Sequence, residues 1–246
     1  MIIKRYILII LYSLIIYNLF FIQTSAEDNL SKEEIEKIIH EYIMENPETI
    51  LKSVDNLRKK MEKSSIENDN YLKKEFQNFA NQENIPNFGN EDAKVIIVEF
   101  IDYNCGYCKK SLDAIITLLE SDLDLKISFR DYPILSPSSR LAAKAALAAQ
   151  YQNKYFELHT KLLSLRGGIT EEIIFEIAKS IEIDINKLKV DMENPKIDII
   201  IQENESLARK LNIRGTPTFI INGKLYAGAL ELNKLKAIIN NALSEN

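Results

Sequence analysis

The sequence predicts an α/β domain preceded by a helical segment, and three stretches carry that expectation. "AKVIIVEFIDY", residues 93–103, is apolar on both alternating faces, with Val95, Ile97 and Ile101 on one and Ile96, Val98 and Phe100 on the other. That is the pattern of a central, doubly covered strand. "CGYCKKSLDAIITLLESD" then sets Leu112, Ile115, Ile116 and Leu119 at helical spacing, and "LKISFRDY" alternates Leu125, Ile127 and Phe129 against Lys126, Ser128 and Arg130. Strand, helix and strand of these lengths make a βαβ unit, the second strand having one face better buried than the other. "TPTFIINGKLYAG" places Asn222-Gly223 between two apolar runs, the signal of a β-hairpin.

Taken in order, the chain begins with Lys4 and Arg5, an uncharged run from Ile7 to Ile22, and small residues Thr24 and Ala26 before an acidic start. Residues 1–26 are therefore expected to be a secretory signal peptide; an uncleaved anchor is the alternative, although the run is short for a spanning helix. The mature protein is expected to be periplasmic, soluble or peripherally held.

Residues 27–84 are expected to form a helical oligomerisation and linker segment. "LSKEEIEKIIHEYIMEN" lines up Ile35, Ile38, Ile39, Tyr42 and Ile43, with Ser31 and Glu34 as a capping box. Asn46-Pro47 reads as the cap of a second helix, in which Ile50, Val54, Leu57 and Met61 alternate spacings of four and three. Such a stripe docks on its own domain or on a copy of itself. The charged remaining faces favour a homo-oligomer through residues 28–62. The stretch after Met61, polar with Tyr71, Phe76 and Phe79 spaced along it, reads as a helical linker.

Residues 85–246 are expected to be the main domain, with a helical insertion at about 138–192. Pro133 and Pro137 break the chain, Thr170 opens one helix, Asn194-Pro195 opens another, and Leu232, Leu235, Ile238, Ile239 and Leu243 stripe the last. At 246 residues the chain has ample material for this core, and a net charge of −5 with a pI near 5.3 argues against nucleic acid as partner.

The chemistry lies in the only two cysteines, Cys105 and Cys108. C-x-x-C at a strand-to-helix junction in a βαβ unit is the thioredoxin-type redox motif. A cysteine at a helix N-terminus meets unpaired backbone N–H groups that favour a thiolate, so Cys105 is expected to attack and Cys108, one turn in, to resolve. A structural disulfide over so small a loop contributes little. Zinc needs four ligands, and His40 and His159 lie far apart in sequence, so neither a metal nor another cofactor is expected. Glu99, set in a strand apolar on both faces, is expected to be buried beneath the cysteines with a raised pKa, able to take the Cys108 proton, an edge position turned to water being the alternative. Pro217 opens a strand where it cannot donate to the ladder; a cis Thr216–Pro217 bond facing the cysteines would account for it, an ordinary trans proline being the alternative.

Cys105-Gly106-Tyr107-Cys108 after "VIIVEFIDYN", then "FRDYPIL", the helical stretch and "RGTPTFIING", together resemble the DsbA family of protein-disulfide oxidoreductases. The ScsC-like group, with its N-terminal oligomerisation segment, is the nearest likeness. The resemblance spans residues 30 to 245. It implies a thioredoxin fold with an inserted helical domain, Glu99 as the buried acid, and Thr216-Pro217 as the cis-proline pair that binds the client backbone, with Gly106 and Tyr107 beside it. It also implies exported, cysteine-containing clients and a membrane redox partner that recycles the pair. One feature departs from the strongest oxidases, which carry Pro-His between their cysteines. Gly106-Tyr107 supplies no such cation, so a less oxidising disulfide is expected. Gly-Tyr with Thr before the proline is also similar to the DsbC-like isomerases. Oxidase and oligomeric isomerase or reductase remain alternatives, as does a non-catalytic metal-handling or chaperone protein.

Overall fold

The computed structural model describes residues 30–244, which divide into two compact units between Lys60 and Met61. The expected signal peptide, residues 1–26, lies outside the described residues.

In the first unit, α1 (Lys32–Glu45) starts on the expected capping box: Ser31 Oγ accepts from Glu34 N and Glu34 Oε2 accepts from Ser31 N. Helix α2 runs from Glu48 to Ala80, and its residues up to Lys60 belong to this unit. Asn46 does not cap α2 as its sequence suggests. It ends α1 instead, because Nδ2 of its short side chain reaches back to the Tyr42 carbonyl at 2.9 Å. The apolar stripes of both helices are exposed: Ile35, Ile38, Ile39 and Tyr42 on α1, and Ile50, Val54, Leu57 on α2.

The second unit is built on a mixed sheet of order β1-β3-β2-β4-β5. Its strands are β1 (Asn87–Gly89), β2 (Val95–Ile101), β3 (Leu125–Asp131), β4 (Thr218–Ile221) and β5 (Lys224–Ala227). β2 and β3 are parallel, joined through α3 (Gly106–Leu119); the other three pairings are antiparallel. The hairpin turns at Asn222 (φ 42°) and Gly223 (φ 80°), and Asn222 pins it to β2 by accepting from Ile96 N at 2.8 Å and donating to the Lys94 carbonyl.

Between β3 and β4 stand α4 (Pro137–Ala149), α5 (Tyr155–Ser164), α6 (Glu171–Ser180), α7 (Ile185–Met192) and α8 (Pro195–Lys210), and α9 (Leu232–Ser244) closes the chain. Side-chain caps from Ser136, Thr170, Asp184 and Asn194 start α4, α6, α7 and α8.

Both faces of the sheet are covered. Val95, Ile97, Ile101, Ile127, Phe129 and Phe219 join one core with α3, the inserted helices and α9. Ile96, Val98, Phe100 and Ile220 join a second with Leu72, Phe76 and Phe79 of α2 and Ala208 of α8. Two expectations change here. The stretch read as a polar linker contributes four buried residues, Leu72, Phe76, Phe79 and Ala80. Strand β3 is buried on both faces, because those same helices cover its polar side. Arg130 there donates to Asn204 Oδ1 at 2.9 Å, to Gln82 Oε1 and to the Phe79 carbonyl, and Lys126 donates to Asn81 Oδ1. A short edge strand, β1, was not expected at all.

Candidate active site

β2 ends in a tight turn that delivers Cys105 to the start of α3. Asp102 organises the turn: its Oδ1 accepts from Asn104 N, its Oδ2 accepts from Ile134 N and Leu135 N, and its carbonyl accepts from Cys105 N. Asn104 Nδ2 lies 2.9–3.0 Å from the hydroxyls of Ser136, Ser138 and Ser139, tying the turn to the start of α4.

Cys105 is the N-cap residue of α3 with extended backbone, and Cys108 sits in the first turn. Both are free thiols, Cys105 6% exposed and Cys108 1%. The exposure order is the one expected of an attacking and a resolving thiol, although both sulfurs are largely covered. Burial first, and then the charge of Glu99, push the Cys108 thiol well above its ordinary range.

Glu99 lies at the centre of β2, 3% exposed, with Phe129 of β3 on one side and Phe219 of β4 on the other. Burial alone raises its carboxyl to about 8. A carboxyl group so placed is mostly protonated at neutral pH and can both give and take a proton.

From the opposite side comes the loop before β4. The Thr216–Pro217 bond is cis, and Cys105 Sγ donates to the Thr216 carbonyl at 3.1 Å. Thr216 Oγ1 is buried with no hydrogen-bond partner among the described residues. Gly106 faces open space, and Tyr107 is 62% exposed with Lys110 Nζ 5.2 Å from its ring centre. Beside Tyr107 runs a groove of about 500 Å³ floored by Ser111, Ala114, Leu230 and Leu232. The structure thus brings together Glu99, Cys105, Cys108 and Thr216-Pro217, with Gly106 and Tyr107 on the open side. His40 is on exposed α1, and His159 is buried in α5 with its Nδ1 3.1 Å from the Tyr103 hydroxyl.

Residues 80–241 match the family described as Thioredoxin, and residues 32–63 match the Copper resistance protein ScsC N-terminal domain. The chain belongs to the thioredoxin-like DsbA family. Among solved structures, the thiol-disulfide exchange protein alpha-DsbA2 from Wolbachia pipientis is 36% identical, with a TM-score of 0.65 over 70% of this chain and 96% of that one. The catalytic domain of Proteus mirabilis ScsC is 28% identical, with a TM-score of 0.65 over 72% of this chain and 98% of that one. Among curated proteins, disulfide bond formation protein D of Bacillus subtilis is 28% identical over 170 residues, 64% of this chain and 77% of that protein. The chain also matches part of larger proteins, spanning 24% of the length of the Na(+)/H(+) antiporter NhaA 1 of Salinispora arenicola.

Sequence reasoning missed two further buried acids, Asp102 in the turn and Asp131. Asp131, at the end of β3, is fully buried; its Oδ2 accepts from the Tyr155 hydroxyl at 3.2 Å, and its Oδ1 has no partner among the described residues. Burial raises it to about 7, against the Tyr103 and Tyr155 hydroxyls, which favour the carboxylate. The available signal was a lone carboxylate closing the run "LKISFRD".

Proposed function

We propose that the protein is an exported protein-disulfide oxidoreductase whose redox pair is Cys105 and Cys108. The observation that carries this reading is the cysteine at the N-cap of α3, its thiol 3.1 Å from the Thr216 carbonyl, with a buried carboxyl group two strand residues from the turn. In the oxidising direction a client thiolate attacks Cys105 Sγ. The Cys105–Cys108 bond breaks, a mixed disulfide forms, and the leaving electron pair settles on Cys108 Sγ, which takes the proton of Glu99. A second client thiolate then displaces Cys105, so the client loses two electrons and the pair gains them. In reverse, the Glu99 carboxylate removes the Cys108 proton and the resulting thiolate resolves the mixed disulfide.

Thr216 and Pro217 take the client backbone beside Cys105, and Tyr107 with the adjoining groove takes its apolar side chains. Exported cysteine-containing proteins are the clients, and a membrane redox partner recycles the pair. The exposed apolar stripes of α1 and α2 support self-association through residues 28–62, which the match to the ScsC N-terminal domain also favours. No helix among the described residues is long and apolar enough to cross a membrane. The leader-like residues 1–26 support export to the periplasm; an intact N-terminus on the protein isolated from its own cells would count against cleavage.

The test is Cys105→Ser. It should abolish both insulin reduction and oxidation of a dithiol peptide. Protection of an unfolded client that survives the substitution would favour the chaperone reading, and full activity would end the redox assignment. An oligomeric protein active on scrambled disulfides would place it with the isomerases.

A further inference from the structure

Cys105 stands just beyond the C-terminal end of β2, and the sheet order puts a different loop on each side of it. On the β4 side is Thr216-Pro217, where the Thr216 carbonyl accepts from Cys105 Sγ. On the β3 side is the segment from Pro133 to Leu135, between the end of β3 and the α4 cap at Ser136. Parallel pairing brings β2 and β3 to the same end: Ile101 pairs with Asp131, and Tyr132 N donates to the Ile101 carbonyl at 2.7 Å. Asp102 holds the segment there. Oδ2 of its buried carboxyl group accepts from Ile134 N at 2.9 Å and from Leu135 N at 3.0 Å, while its main-chain carbonyl accepts from Cys105 N at 3.0 Å. A single residue thus bonds both the turn of Cys105 and the loop beside it.

Both amides of this segment are bonded, yet its apolar side chains are in water: Ile134 is 41% exposed and Leu135 55%. Among the described residues from 81 onward six large apolar side chains are exposed, and three of them, Tyr107, Ile134 and Leu135, border the redox pair. The other three, Tyr151, Val190 and Ile199, are on separate elements of the insertion. Apolar surface gathered at one place and left in water marks a surface that meets a partner. The groove beside Tyr107 is lined by Ala229, Leu230 and Leu232, which follow β5, the strand beyond β4. Ile134 and Leu135 are on the β3 side, so the two apolar contacts flank Cys105 from opposite sides. The ring of Pro133 and the capped start of α4 bound the segment, and a partner meeting an ordered surface loses less entropy there.

We propose that Ile134 and Leu135 form a client-binding ledge, which selects an extended segment carrying a bulky apolar side chain two or three residues from its reacting cysteine. The ledge deepens the redox reading of Cys105 and Cys108 and rests on it. Continuity with the redox centre names the occupant: a chain that reaches Cys105 Sγ, itself only 6% exposed, lies against the loops on both sides. Neighbouring strands are about 4.8 Å apart and an extended chain advances about 3.3 Å per residue. A client held at Cys105 therefore reaches the loop above β3 within roughly two or three residues. A leucine seated there leaves water together with Ile134 and Leu135, which favours its client about tenfold. Because ledge and groove are on opposite sides, an extended client uses one before its cysteine and the other after it. The selectivity is positional.

The test uses the full-length protein in its disulfide form and three reduced Gly/Ser peptides, each with two cysteines. A leucine stands three residues before each cysteine, three residues after each, or is replaced by serine. The second-order rate of oxidation is measured, one peptide disulfide forming for each Cys105–Cys108 disulfide opened. One leucine placement should react about tenfold faster than the serine peptide, and Ile134→Ser with Leu135→Ser should bring that ratio to about one. Any advantage of the other placement should fall in Tyr107→Ser instead. Asp102 bonds only the main chain of the ledge, so the double variant should keep its melting temperature; Ile134→Ala with Leu135→Ala gives the same reading if it does not fold. Equal rates for all three peptides, or a leucine advantage that survives the ledge substitutions, would overturn the ledge. With exchange still lost in Cys105→Ser, the redox assignment would stand. Failure of the unaltered protein to oxidise any of the peptides would overturn both.

Discussion

Glu99 is the residue on which the chemistry and the stability of this fold meet. Burial raises its folded pKa from the ordinary 4.5 to about 8. An acid raised in this way holds its proton in the folded state while the unfolded chain releases it. Between pH 4.5 and 8 the folded state therefore binds more protons, and stability falls as pH rises through that window. Glu99→Gln keeps the shape and removes the ionisation. It should stabilise the protein at pH 8 by on the order of a few kcal/mol, each tenfold change in acid constant being worth about 1.4 kcal/mol, and should change little at pH 4. Urea denaturation at the two pH values checks this; an equal effect at both would mean that packing, not charge, governs the site. The same substitution should slow release of client from the mixed disulfide about 10²-fold, the lower end of general acid–base contributions, and abolish the rise of that rate through pH 8. Stopped-flow measurement of the mixed-disulfide lifetime reads it.

At the scale of elements, the hairpin carries a sharp expectation. Asn222 occupies the left-handed region at φ 42°, and its side chain makes two hydrogen bonds, to the Ile96 amide of β2 and to the Lys94 carbonyl just before that strand. Asn222→Ala loses both bonds and strains the turn, leaving the buried-side Ile96 amide without its acceptor. It should cost about 1–3 kcal/mol, with the urea m-value unchanged because the exposed surface on unfolding is the same. Elements like this were legible because their signals are local: a turn dipeptide, a Ser, Thr or Asn cap, an uninterrupted apolar strand. The placing of the two cysteines at the start of α3 was legible for the same reason, since four consecutive residues after an apolar strand define it. What was not legible depended on partners distant in the chain. Leu72, Phe76 and Phe79 are spaced as a helical stripe, yet sit in so polar a stretch that nothing local says they face the sheet. The alternation of β3 suggested a wet face; Asn81 and Gln82 in the loop after α2, the Phe79 carbonyl near the end of that helix and Asn204 of α8 make a buried Lys126 and Arg130 tolerable. Asp131 was hidden by the same problem: its partner Tyr155 is on another helix. Strand β1 is three residues long, too short for any alternation to appear.

For the whole molecule, the question is what covers the apolar stripes of the first unit. No residue of α1 is buried, and the buried residues of α2 begin only at Leu72. Ile35, Ile38, Ile39 and Tyr42 on α1, with Ile50, Val54 and Leu57 on α2, form exposed stripes of large apolar side chains that a monomer in water has no reason to keep. Charged residues cover the remaining faces, Lys32–Glu36 and Lys37–Glu41 pairs among them, so the stripes are bounded as an interface is. If copies of this chain meet there, a charge placed in the stripe must separate them. Ile39→Glu with Leu57→Glu in the full-length protein should reduce the mass in light scattering to that of one chain. Its melting temperature at the catalytic unit should be preserved, because neither side chain belongs to a core. Oxidation of a small dithiol peptide, which needs one redox pair, should be unaffected; activity on a scrambled multi-disulfide protein should fall if the subunits act together on one client. A charged variant of unchanged mass would show that the stripes are covered by something other than a second copy. A single-chain mass for the unaltered protein, with oxidation as its only activity, would remove the isomerase alternative altogether.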